Sequence, residues 1–186
     1  MSWINGDGLY VKFGTEEAVT HRGGSVKNVD GRYEFQFIVD WKDLLSATDT
    51  ILGSASGVQT GSFGVLIPKG LHIEELEIVA TTAFTSSGTI GSSTLSMGFI
   101  REDRSTTYDV DGLLTTSFVA GVLDAAGEKT VIRIGSTGCG ALVGTVLAND
   151  GLIMVANSAH SSHPYTAGRA NVVVRGFYPD TQTVTP

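Results

Sequence analysis

Four histidines, one cysteine and nineteen carboxylates are the side chains of this 186-residue chain with the chemistry for acid–base, nucleophilic or metal work. The histidines are His21, His72, His160 and His163. Only His160-Ser-Ser-His163 is a close pair, and a three-residue spacing can chelate a metal on a helix or tight loop. No Glu or Cys stands beside it, so a solvated polar loop is the expectation there. Asp103, Asp109 and Asp111 gather carboxylates near a glycine, Gly112, which is raw material for calcium. Their order is not that of an EF-hand, and Arg101 and Arg104 compete for the same oxygens, which makes a surface ion-pair loop the expected reading. Cys139, in Gly-Ser-Thr-Gly-Cys-Gly, has no histidine near it in sequence to act as base. A small half-buried residue in a tight turn is expected. The same loop lacks the Gly-Lys-Ser/Thr ending and the G-x-G-x-x-G order of phosphate cradles, and no G-x-S-x-G occurs. Glycosidase chemistry would need two convergent carboxylates. Glu74, Glu75 and Glu77 sit on a predicted strand, where Glu75 and Glu77 share a face expected to be solvated.

The elements that must position these groups read as strands. Residues 32–41 alternate Tyr33, Phe35, Phe37, Val39 and Trp41 with Arg32, Glu34, Gln36 and Asp40, and Ile38 is the one apolar exception. That is the period of a sheet with one buried face. Further strands are predicted at 63–67, 71–84, 94–100, 131–134, 142–147, 152–156 and 170–178. Within 71–84, Leu76, Ile78, Ala80 and Thr82 share a face that Ile73 misses, which predicts a bulge or a face switch near Glu74-Glu75. Asn149-Asp150-Gly151 is a turn signal between two of these runs. Residues 53–61 and 101–112 read as loops, 41–46 as a helical turn, and 113–126 as a short helix stopped by Gly127. About eight short strands with one or two helical pieces and no fixed repeat predict an all-β chain, a β-sandwich or jelly roll. The expected organisation is an N-terminal arm or peripheral strand over 1–31, the sandwich over 32–178 and a polar tail over 179–186.

Composition narrows the function classes. Gly is 24 of 186 residues and charged residues are 17%, which suits many tight turns and surface covered by partner subunits. The net charge is −7 and the 12 Lys and Arg are scattered, against nucleic-acid binding. No secretion signal is read in residues 1–15, and the uncharged stretch 78–100 is too rich in Thr, Ser and Gly for a membrane helix. Three stretches without Asp, Glu, Lys or Arg (78–100, 134–149 and 151–168) have the charge depletion of subunit interfaces. A single cysteine excludes an internal disulfide. Trp3, Leu9, Tyr10 and Phe13 form an apolar N-terminal set that is hard to bury locally. They either meet another subunit or pack on their own sandwich.

Several blocks resemble small structural proteins of tailed bacteriophages: residues 3–18 (Trp-Ile-Asn-Gly-Asp-Gly-Leu-Tyr-Val-Lys-Phe-Gly-Thr-Glu-Glu-Ala), 67–84, Leu95-Ser-Met-Gly98 and 141–152. The resemblance implies a β-sandwich or jelly-roll virion protein, homotrimeric, assembled in the host bacterial cytoplasm. Its expected role is that of a head decoration (cement) protein on the outer surface of the major capsid protein shell. It implies no enzyme activity, cofactor or catalytic residue; no metal is expected, and the scattered charge and the missing apolar span speak against a nucleic-acid or membrane partner. Trp3, Leu9, Tyr10 and Phe13 are then candidate contacts to the capsid, because an extended arm can add a strand to a neighbour's sheet. The alternative is a receptor- or glycan-binding domain of a tail or head fibre, for which Trp41, Tyr108 and Tyr165 are the candidate sugar-stacking aromatics.

Overall fold

The computed structural model describes residues 2–4, 10–12, 25–29, 31–42, 59–101, 107–115, 120–157 and 163–179. Its strands are β1 (Ser2–Ile4), β2 (Tyr10–Lys12), β3 (Ser25–Val29), β4 (Arg32–Asp40), β5 (Gln59–Ile67), β6 (His72–Ser86), β7 (Ser96–Ile100), β8 (Thr107–Leu114), β9 (Lys129–Ile132), β10 (Gly151–Asn157) and β11 (Tyr165–Phe177). All pairings are antiparallel. A five-stranded sheet runs β3-β4-β11-β6-β9 and a four-stranded sheet runs β5-β10-β7-β8, while β1 and β2 pair with each other alone. The chain is therefore an all-β sandwich, as the strand pattern predicts.

The main core lies between the two sheets. Phe35, Phe37 and Val39 of β4, Val172 and Val174 of β11, and Ile73, Leu76 and Ile78 of β6 face Ile67, Ile153, Val155, Met97 and Phe99 of the other sheet. The alternation in β4 is the physical source of its face: Phe35, Phe37 and Val39 are buried, and the residues between them are exposed or half-buried. Of the bulge or face switch expected near Glu74-Glu75, the bulge is present. Arg175 pairs with Glu75 and Gly176 with Ile73, so Glu74 is the extra residue that brings Ile73 and Leu76 to the same side. Gly176 is required at this point, because a Cβ there would meet the His72 carbonyl oxygen.

Several expectations need correction. Thr82 is exposed rather than in line with Ala80, because a second irregularity makes Thr81 an extra residue between the Ala80–Ala170 and Thr82–Arg169 pairs. Gln59–Gly61 belong to β5, not to a loop; residues 53–58 lie outside the described residues. The charged stretch 101–112 is not all loop, since Thr107–Leu114 is β8 paired with β7. For the same reason Leu113 and Leu114 are strand; residues 116–119 of the predicted helix lie outside the described residues, and Ala120–Leu123 is a 3-10 turn that buries its first and last residues. Residues 43–46 of the proposed helical turn lie outside the described residues; Trp41 and Lys42 are helical. The described residues hold eleven strands, not about eight, partly because short strands occur within 1–31.

The predicted strand over 142–147 does not form, and the reason concerns both sheets. This segment spends its backbone hydrogen bonds in two directions. Leu142 N–H donates to Gly112 O of β8 at 2.8 Å, and Gly140 N–H donates to Leu113 O at 3.2 Å. Gly144 N–H donates to Ile73 O of β6 at 2.6 Å, and Leu147 N–H donates to Leu71 O at 2.9 Å. Residues that bridge two sheets cannot also run as a regular partner of one.

Candidate functional site

The densest group of ionisable side chains among the described residues lies on the outer face of the five-stranded sheet. Register puts it there. Arg175 stands opposite Glu34 of β4 on one side and Glu75 of β6 on the other. Glu77, two residues along β6, shares the face of Glu75. The Arg175 guanidinium donates through Nε to Glu34 Oε1 at 2.8 Å, and through Nη1 to Glu75 Oε1 at 2.6 Å and Glu77 Oε2 at 2.8 Å. β9 then supplies the outer cations: Lys129 pairs with Glu77 at 3.0 Å, and Arg133, just past β9, donates through Nε to Glu75 at 2.7 Å. Arg32 reaches Glu74 at 3.5 Å.

The side chains of Glu75 and Glu77 are 13% and 15% exposed, and that of Arg175 is 29% exposed, so the centre of the network is partly shielded from water. Burial pushes the Glu75 carboxyl upward, but hydrogen bonds from Arg175 and Arg133 outweigh it and hold the group below the usual carboxylate range. Glu77 is held low mainly by its bond from Arg175, against burial and with help from Lys129. The same bonds, first to Glu77 and then to Glu34, hold the Arg175 proton more firmly than usual. Chemically this is a set of locked ion pairs. A glycosidase acid must hold a proton near neutral pH, and Glu75 and Glu77 are driven the opposite way. Four carboxylates (Glu34, Glu74, Glu75, Glu77) meet four cations (Arg32, Lys129, Arg133, Arg175), which leaves the face locally neutral.

The other candidates separate. Asp109 and Asp111 lie on β8, with the Asp111 N–H donating to Asp109 Oδ1 at 3.4 Å; Asp103 lies outside the described residues. Burial pushes the Asp109 carboxyl up, and the neighbouring Asp111 adds to this despite that backbone bond. Arg101 turns to Asn149 Oδ1 at 2.9 Å and over the Tyr108 ring. Among the described residues no group of three or more His, Cys, Asp or Glu could hold a metal ion. His160 lies outside the described residues, while His163 contributes its carbonyl, which accepts from Ser93 Oγ at 3.1 Å and Asn157 Nδ2 at 3.3 Å. Cys139 is half-buried against the core, and its thiol donates to the Gly140 carbonyl at 3.5 Å.

Of the aromatics considered for sugar stacking, Tyr165 is not at a loop tip. It is 1% exposed, edge-on to Phe84, and its hydroxyl donates to Thr94 O at 2.6 Å. Trp41 packs half-buried against the core. Tyr108 stacks on Phe99, and its hydroxyl accepts from Ala148 N–H at 3.1 Å. In the N-terminal set, Trp3 pairs with Val11, and Tyr10 with Ile4, between β1 and β2; Leu9 and Phe13 lie outside the described residues. Arg175 is the residue that sequence reading passes over. Its partners are 141, 100 and 98 positions away, and only its alternation with Val174 and Gly176 marks it as outward-facing.

In comparisons with known proteins, no family model, no curated protein and no solved structure matches the chain.

Proposed function

We propose that the chain is a non-enzymatic structural protein of a tailed-bacteriophage virion, a homotrimeric decoration (cement) protein bound to the outer surface of the major capsid protein shell. The observation that carries this reading is the sandwich itself, with the blocks over 3–18, 67–84 and 141–152 that resemble such proteins. The two central strands of one sheet are buried on both faces, and the charged groups on the wet face of the other sheet are spent on one another. A shell protein needs a rigid body and broad contact rather than reactive groups. The capsid contact falls to Trp3, Leu9, Tyr10 and Phe13.

The test is the copy number of this chain in purified virions, relative to the major capsid protein, by quantitative mass spectrometry. A near-stoichiometric ratio is expected. A handful of copies per particle would replace the shell role with a tail or vertex fibre, and absence from the particle would overturn the virion reading. Deleting residues 1–18 should leave the sandwich folded and weaken capsid attachment; undiminished binding would remove the arm's role.

A further inference from the structure

We infer that residues 133–147 are a clasp that opens and closes as one unit across the side of the sandwich, coupling the two sheets. The segment is a chain of tight turns. Ser136 N–H donates to Arg133 O, Cys139 N–H to Ser136 O, Val143 N–H to Gly140 O and Thr145 N–H to Leu142 O. Gly135, Gly138 and Gly144 have φ of 83°, 80° and 84°, the left-handed region that favours glycine, and these turns depend on it. One end of the clasp belongs to the four-stranded sheet: Thr115 N–H donates to Gly138 O, and Gly140 and Leu142 donate to Leu113 and Gly112. The other end belongs to the five-stranded sheet: Ile73 N–H donates to Thr145 O, Gly70 N–H to Leu147 O, and Gly144 and Leu147 donate back to Ile73 and Leu71.

Two features join the ends into one unit. Val143 and Leu147, 5% and 2% exposed, sit in the core between the sheets, so neither end can lift without withdrawing a buried side chain. At Gly140 the backbone lies directly on Gly112 and the Asp111 carbonyl, where a Cβ would collide, so the β8 end has no slack to absorb a shift at the β6 end. The clasp also completes two sheet edges. It continues the edge of β6 where β9 stops at Ile132, and it covers the outer edge of β8. Opening it would free backbone on both sheets at once. Its outer surface is thinly packed, with Ile134 72% exposed and Val146 48% exposed, which places the segment among the parts of a fold that open below the global transition.

Native-state hydrogen exchange on the intact chain tests it, under conditions where exchange reports the opening equilibrium. The amides of Thr115, Gly140 and Leu142 at one end, and of Gly70, Ile73, Gly144 and Leu147 at the other, should share one opening constant. That constant should exceed the one for Val155 and Val172 in the sheet centres. Gly144→Ala tests the coupling from one end only. It strains a left-handed residue and meets the side chain of Ile134, which is exposed enough to swing away, so the variant should fold. It should speed exchange about fivefold or more at both ends of the clasp alike. The unit is overturned if Gly144→Ala speeds only the β6 end, if the two ends of the wild-type clasp exchange with different constants, or if all these amides exchange only with the sheet centres.

Discussion

The two sheets of this sandwich solve burial differently. In the five-stranded sheet one face is dry and the other carries ion pairs, and β4 shows it residue by residue as an alternation of buried and outward positions. In the four-stranded sheet every residue of β7 and β10 is buried. Its inner face joins the main core, while Ile100, Leu152, Met154 and Ala156 form a second apolar cluster on its other face, with Leu66 packed against them. An antiparallel sheet with one wet face alternates in sequence, whereas a sheet covered on both sides shows unbroken apolar runs. Leu152 to Ala156 is such a run. The same strand length therefore carries different information: on β4, β6 and β11 the outward residue is free to be charged, and on the central strands β7 and β10 it is not.

The largest test of this contrast is a charge placed on the outer position of each sheet. Met154→Lys puts an ammonium where the side chain is 1% exposed and should cost about 4 kcal/mol or more, enough to unfold much of the population. Val173→Lys, on the wet face beside Glu77, should cost less than about 1 kcal/mol. Urea unfolding of both variants makes the comparison, and equal losses would break it.

A middle-sized effect sharpens the wet face. Arg175→Met leaves Glu75 and Glu77 side by side with one partner cation fewer and should cost about 2 kcal/mol at neutral pH. Because both carboxyls are held below their ordinary value of 4.5, the network adds stability above that value and loses it as pH falls through the folded-state values. The gap in Tm between wild type and Arg175→Met should therefore close on acidification below about pH 4. A gap that stays constant with pH would assign the loss to packing of the arginine stem.

The smallest effect has the opposite sign. Asp109 is pushed above its ordinary 3.8, so the folded state is disfavoured as pH rises through its titration, and this cost persists at neutral pH. Asp109→Asn should raise the Tm slightly at pH 7, by less than about 1 kcal/mol in stability, and lose that advantage below about pH 3.5. Thermal melts at the two pH values check it; a variant less stable at pH 7 would show that the carboxylate is needed for its bond from Asp111.

Legibility in the sequence followed the same division. The β4 alternation placed Glu34 outward, and the phase break between Ile73 and Leu76 pointed to a bulge or a face switch near Glu74-Glu75, of which the strand pairing selects a bulge at Glu74. Sequence also put Glu75 and Glu77 on one outward face. It did not show Arg175 between them and Glu34, since cross-strand neighbours depend on which strands pair and in what register. Residues 142–147 misled for a related reason. Leu142, Val143, Val146 and Leu147 have strand composition, but Val143 and Leu147 are buried as anchors of a bridging loop while Val146 is exposed.

By itself, then, the sequence determined the class of fold, the faces of its alternating strands and the places where the chain must turn, since these follow from side-chain periodicity and from glycine's access to positive φ. Tertiary structure alone decided which charges meet, which strands are covered on both sides, and that 133–147 joins the two sheets. Those outcomes rest on contacts between segments far apart in the chain, and local sequence carries no record of which distant partner a strand or loop will meet.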